Sequence, residues 1–365
     1  MSVAFSFERW AKVKQDAARW WAGELARPLI QVRVWGRDPG RPAPRAHPVT
    51  KGRCYDFSYS AEEIVDAWDY ELSRQWFLGD AFPCVWPDLG PGVLAAFLGA
   101  VAEPRDGEHT VWFHAARETP VSELRFEYQA GSPLAERVRD IYRAALARWQ
   151  GLVQVGMTDL GGNLDVLASF RPSERLLLDL VDEPEEVKRA TWEAHRAWFH
   201  YFEDLNRILH PRNPGYTAWT PIFSSQPYYM LQCDFCYMIG PRMFDEFVKP
   251  ELAAACRRLT NPFYHLDGKG QLPHLDSLLE IKELKGVQWV PGAGQPDTIH
   301  WPKVYRKIRR AGKLAQIWGG PEHLDALAEQ VGDAEGLVQL CSCRAEDRPK
   351  YEAHLRKYGA EAGRD

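Results

Sequence analysis

The chain has 365 residues, 45% of them apolar and 26% charged, a balance that excludes a disordered polymer and fits ordinary globular structure. The formal net charge is −5 and no long basic run appears, which speaks against the clustered Lys and Arg that nucleic-acid binding needs. The 15 tryptophans are unusual, because so much indole must be buried, stacked on a ligand, or both.

Glu8, Arg9 and Lys12 fall where a signal peptide needs an apolar core, and the longest apolar stretch, Gly92 to Ala102, is short of the ~20 residues of a membrane helix. Seven cysteines, an odd number, do not read as a disulfide framework, so the expectation is a cytoplasmic protein with free thiols and no membrane partner. An N-terminal helix leads into a first apolar run, Leu29–Val34. The loop Arg37–Asp56 follows, with Pro39, Pro42, Pro44 and Pro48, and reads either as a surface excursion or as a lid. Further strand candidates are Pro83–Asp88, Leu152–Thr158, Tyr228–Asp234, Phe263–Asp267, Val287–Pro291, Leu314–Trp318 and Leu337–Cys341. Long amphipathic runs separate them. In Pro184–His210 the residues Val187, Thr191, Ala194, Trp198, Phe202, Leu205 and Leu209 recur three or four apart as one apolar stripe. Pro241–Cys256, Leu272–Ile281, Trp301–Ala311, Glu322–Val331 and Glu346–Lys357 read similarly. Eight short runs alternating with helices predict an α/β chain closed as a (β/α)8 TIM barrel, a single domain over residues 1–365 with an N-terminal helical extension.

In such a barrel the site forms at the carboxyl ends of the strands. That rule selects Trp86, Asp88, Thr158, Asp159, Cys233, Asp234, Cys236, His265, Asp267, Trp289, Trp318, Cys341 and Cys343. The aspartates also suit helix N-caps, so each alone has a plain structural explanation; four at four strand ends are harder to explain that way. His265 and Asp267 alternate on one strand, so they share a face, and Gly268 and Gly270 let the chain turn above them. Such a pair can hold a metal or work as an acid–base couple, with Asp267 the residue expected at the mouth pointing inward. Cys233 and Cys236 have zinc-knuckle spacing without a second such pair, and His274 is expected to cap or pack. No GxxxxGK[ST], strand-linked GxGxxG, HExxH or GxSxG is present, so nucleotide and serine-hydrolase chemistry lack support.

The segments DAFPCVWPDLGPGVLAAFLGA, VGMTDLGGNLDVLASFR, CDFCYMIGPRMFDEFVKPEL and FYHLDGKGQ resemble the uroporphyrinogen decarboxylase superfamily, which includes cobalamin-linked methyltransferases. The likeness runs from about Asp80 to the end and implies a (β/α)8 barrel. For a decarboxylase it implies arginines that grip substrate carboxylates, here Arg33 and Arg37 with Arg45 and Arg53 of the same loop as further cations, and a pyrrole-binding aspartate, here Asp88; that chemistry needs no cofactor. The histidine such enzymes carry near the last strand is replaced by the Cys341–Cys343 region. For a methyltransferase the resemblance implies zinc, with His265, Asp267 in place of the first cysteine, and Cys343 as ligands, and a corrinoid protein as partner.

The leading expectation is a methyltransferase-like enzyme acting on a small methylated or carboxylated molecule. Asp267, His265 and Asp88 would carry the chemistry, Asp159, Asp234, Arg33 and Arg37 would orient the substrate, and Trp86, Trp289 and Trp318 would wall the pocket. The alternatives are decarboxylation of tetrapyrrole acetate groups in porphyrin biosynthesis, and a non-enzymatic small-molecule binding protein.

Overall fold

The computed structural model describes residues 3–104, 110–361 and 363. In chain order its strands are β1 Leu29–Trp35, β2 Gln75–Gly79, β3 Cys84–Val85, β4 Val101–Pro104, β5 Val111–His114, β6 Gln154–Val155, β7 Tyr228–Gln232, β8 Asn261–Asp267, β9 Gly286–Val290, β10 Leu314–Trp318 and β11 Leu337–Arg344. Each of the eight runs read from the sequence overlaps a strand, and β10 has the expected bounds. Helices lie between them. The 26-residue helix Pro184–Leu209 buries all seven stripe residues, with Glu185 and Glu186 in its first turn favouring the positive end of the helix dipole.

The fold is mixed α/β around a mostly parallel sheet, but the ladder does not close as a barrel among the described residues. Seven strands run in the order β2-β1-β11-β10-β9-β8-β7, while β3 and β6 form a separate parallel pair and β4 and β5 an antiparallel one. Two local causes interrupt the circle. The free edge of β1 is taken by the antiparallel strand β2, and the N–H of Met157, just past β6, donates to Thr217 O at 2.9 Å, on the segment leading to β7. Pro83 and Pro87 bracket β3, and their missing N–H groups keep that ladder short.

The core accounts for part of the indole. Trp20, Trp149 and Trp198 are fully buried, and each N–H finds a partner: Leu337 O at 3.2 Å, Asp69 Oδ1 at 2.9 Å and Gly161 O at 3.0 Å. The seven cysteines are free thiols. Among the described residues no helix is long and apolar enough to cross a membrane.

The proline-rich loop is tied to the body. Arg37 Nη1 donates to Ser73 O at 2.7 Å, Tyr55 Oη to Leu89 O at 2.8 Å, and Lys51 Nζ pairs with Asp88 at 2.8 Å. The start of β1 is anchored by charge. Arg27 donates to both carboxylate oxygens of Asp80, at 2.7 and 2.9 Å, and to Asp16 at 2.8 Å, while Asp80 also accepts the N–H of Ile30 at 2.8 Å. All three charged side chains are largely buried, so removing one leaves the others without compensation. Arg27→Met is therefore expected to lower unfolding free energy by about 3 kcal/mol in urea titrations. An unchanged midpoint would show that the cluster is not needed to hold β1.

Candidate active site

Strand pleating decides which side chains reach the interior, since neighbours in a parallel ladder point the same way. The register aligns Gln232, His265, Gln288 and Gln316 across β7, β8, β9 and β10. Gln288 Nε2 donates to Gln316 Oε1 at 3.0 Å, which turns Gln288 Oε1 toward His265 Nδ1. The histidine donates through Nδ1, so its neutral form presents the Nε2 lone pair to the other side. Burial pushes the His265 pKa down and keeps the ring neutral, opposed by the Gln288 hydrogen bond and the Asp267 charge.

His265 Nε2 lies 4.0 Å from Asp267 Oδ2, two residues on along the same face. Gly268 then turns the chain at φ +79°, where a Cβ would come within 2.9 Å of the Tyr237 ring, so the position requires glycine. Asp234, at the end of β7, completes the group: one ligand atom from each of Asp234, His265 and Asp267 lies within 4.8 Å of the others. The turn carrying Asp234 is held by Asp165, whose carboxylate accepts the N–H groups of Asp234 and Phe235 at 3.0 and 2.8 Å. The donor set fits a divalent cation, because a neutral imidazole fixed through its other nitrogen and two carboxylates are ordinary ligands with open positions left over.

The aspartates expected at the strand ends share one electrostatic environment. Asp159 is buried and its pKa is pushed up to about 7, first by burial, with Asp234 and Asp88 adding repulsion, although it accepts from Gly161 N at 2.9 Å. Asp234 is exposed on one side, yet desolvation by the atoms packed around its carboxylate and then the neighbouring Asp267 charge raise its pKa to about 6. Burial and then Asp234 raise Asp165 to about 7. Asp88 is paired with Lys51 and accepts Gly90 N–H at 3.0 Å.

Beside this group lies a cavity of about 700 Å³ whose lining includes Arg33, Trp86, Asp88 and Trp318, together with Trp35, Trp68 and Trp219. Trp219 joins it to the polar group, its ring meeting His265 edge-on at 5.0 Å between centroids. Trp318 and Gly319 line both this cavity and the adjoining depression that contains Asp267.

Three expected residues lie elsewhere. Trp289 alternates with inward Gln288, so it faces the helices, fully buried against Trp301 at 5.3 Å. Arg37 is spent on Ser73 O. Cys343 pairs in register with Val34, which is buried on the helix side, and its thiol is pushed up to about 11 by burial and then by Asp347, at the start of the last helix. It is not brought to His265. His274 packs as expected, stacked on Phe244 at 4.7 Å with Nε2 against Cys236 O at 2.9 Å. Sequence reasoning missed Gln288, Gln316, Trp35, Trp68 and Trp219. The available signal was a glutamine in the middle of the apolar runs GVQWV and LAQIW, which only a polar interior would tolerate.

No protein-family profile and no curated protein matches the sequence. Among solved structures the chain is similar to a methyltransferase from Methanosarcina mazei, with a TM-score of 0.58 and 13% identity, covering 91% of this chain and 93% of that one. At that identity the likeness is one of fold.

The raised carboxyl pKa values make stability fall with pH. Asp159 has an ordinary unfolded value near ~3.9, so the native state holds a proton that the unfolded chain releases. The resulting stability is complete below about pH 4 and is lost as pH rises through about 7. Asp159→Asn, which keeps the acceptor oxygen, is expected to flatten the decline in melting temperature across this window and to exceed the parent protein at pH 8. Parallel curves for the two proteins would contradict the assignment.

Proposed function

We propose that the chain is a methyltransferase-like enzyme of the uroporphyrinogen decarboxylase superfamily, acting on a small molecule beside a divalent metal held by Asp234, His265 and Asp267. In this reading the eight strands form a (β/α)8 barrel whose hydrogen-bonded ladder is broken at two seams. The observation that carries the reading is the convergence of those three ligand atoms, with His265 oriented by Gln288, next to a tryptophan-lined cavity. A bound divalent ion there would act as a Lewis acid that eases deprotonation of the group it holds.

The protein's own residues do the remaining work. Gln288 and Gln316 fix the imidazole, Asp165 fixes the Asp234 turn, and Trp219 and Trp318 wall the adjoining cavity. Asp159, protonated up to about pH 7, can donate or accept a proton beside the cluster. A corrinoid-bearing protein is the methyl carrier this reading calls for, and zinc the first metal to test. Methyl transfer to or from a small molecule is favoured over tetrapyrrole decarboxylation by the arginines. Arg37, Arg45 and Arg53 are engaged with backbone carbonyls or Glu63, which leaves Arg33 to meet a carboxylate in the cavity.

Metal titration of the stripped protein tests the proposal. About one equivalent of zinc should bind, with affinity lowered about tenfold or more in His265→Ala and Asp267→Asn and in the orienting variant Gln288→Leu. Cys343→Ser should bind as the parent does. Retention of less than about a tenth of an equivalent by the parent protein at saturating zinc would overturn the metal-dependent reading.

A further inference from the structure

Arg33 is the starting point. It stands on the inner face of β1, lines the cavity, and forms no hydrogen bond or ion pair with a described residue. An unpaired guanidinium in a half-buried position loses part of its hydration, and a bound anion offsets that cost. Trp35 follows two residues on, on the same face, so its ring is based ~6.6 Å nearer the strand end. Trp35 and Trp318 are 36% and 41% exposed, which places them at the mouth, while Arg33 is half-buried farther in.

The walls between are indole. Trp35, Trp68, Trp86, Trp219 and Trp318 line the space, and no ring contact joins any two of them, so their faces are not consumed by packing on each other. At the mouth, beyond Trp318 and Gly319, the adjoining depression brings in Asp267, with Asp234 beside it, so carboxylates stand at the opening. The cavity is thus positive at its base, aromatic along its sides and negative at its opening.

We propose that this cavity binds a short zwitterion, a carboxylate joined to a methylated onium group, with the carboxylate on Arg33 and the onium group among the tryptophan faces, directed toward Asp234 and Asp267. This deepens the proposed function and rests on it for the fate of the methyl group. Each part of the ligand follows from one part of the wall. A guanidinium pairs with a carboxylate through two parallel hydrogen bonds. Indole faces hold a cation that has no N–H to donate, for which hydrogen-bond acceptors would be of no use. A carboxylate without the onium charge would satisfy Arg33 but would leave the indole faces without a cation to hold.

The test is calorimetric titration of the full chain, metal-free and zinc-loaded, with glycine betaine, choline and 3,3-dimethylbutyrate. Choline lacks the carboxylate, and dimethylbutyrate keeps the shape of betaine without its positive charge. Betaine should bind saturably at one site, and both analogues about tenfold or more weaker. Arg33→Met should bring betaine down to the level of choline while zinc binding is unchanged; because Arg33 has no partner to lose, the variant should melt no lower than the parent. Trp318→Leu should narrow the preference for betaine over dimethylbutyrate. Dimethylbutyrate or benzoate binding as tightly as betaine, or no betaine binding at millimolar concentration in either metal state, would overturn the proposal. Betaine binding in the expected order by a protein that holds no zinc would instead refute the metal-dependent function and leave this ligand assignment standing.

Discussion

The hydrogen bond from His265 to Gln288, passed on to Gln316, is the interaction around which the site is organised. It exists because three parallel strands hold three polar side chains at one level, and that level is set by backbone register. A slip of one residue would turn each of these side chains to the helix layer and bring its apolar neighbours inside. The same alternation sends Arg33 and Trp35 inward and Val32 and Val34 outward on β1, and Gln288 inward and Trp289 outward on β9. Which chemistry the cavity can perform is therefore fixed by the pleat before any loop is considered.

Electrostatics concentrates on the same end of the sheet. Asp88, Asp159, Asp165, Asp234 and Asp267 gather there, and three of them have raised pKa values, with burial as the leading cause. Lys51 answers Asp88, and Arg33 lies at the base of the cavity rather than among the carboxylates. A fold that only needed to be stable would not collect carboxylates this way, because each ionisation raises the energy of the rest. The arrangement sacrifices stability at neutral pH for a region where a cation is welcome.

Much of the fold was legible in the sequence because strands and helices impose different periods on apolar residues. The stripe of Pro184–Leu209 and the β8 sequence ending in His265 and Asp267 are cases where the period alone gives the right element. The antiparallel β2 was not legible, since QWFLG is short and follows a helix with no turn signal, and it closes off β1 where a barrel neighbour was expected. For the site, parity worked where it was applied and failed where residue type was substituted for it. His265 and Asp267 were placed by alternation and do share a face. Trp289 and Cys343 were selected for chemistry at a strand end, although Gln288 and Ser342 beside them are the inward positions. Trp219 lies on an irregular segment outside the named strands, so no periodicity pointed to it.

The central claim is that Asp234, His265 and Asp267 form a metal site made of oxygen and nitrogen alone, with Cys343 of β11 turned away. X-ray absorption spectroscopy of the zinc-loaded protein measures this directly, because zinc–sulfur bonds near ~2.3 Å separate clearly from nitrogen and oxygen bonds near ~2.0–2.1 Å. The account predicts a first shell of nitrogen and oxygen with an imidazole scattering pattern, unchanged in Cys341→Ser and Cys343→Ser. A sulfur shell at the longer distance, lost in either cysteine variant, would contradict it.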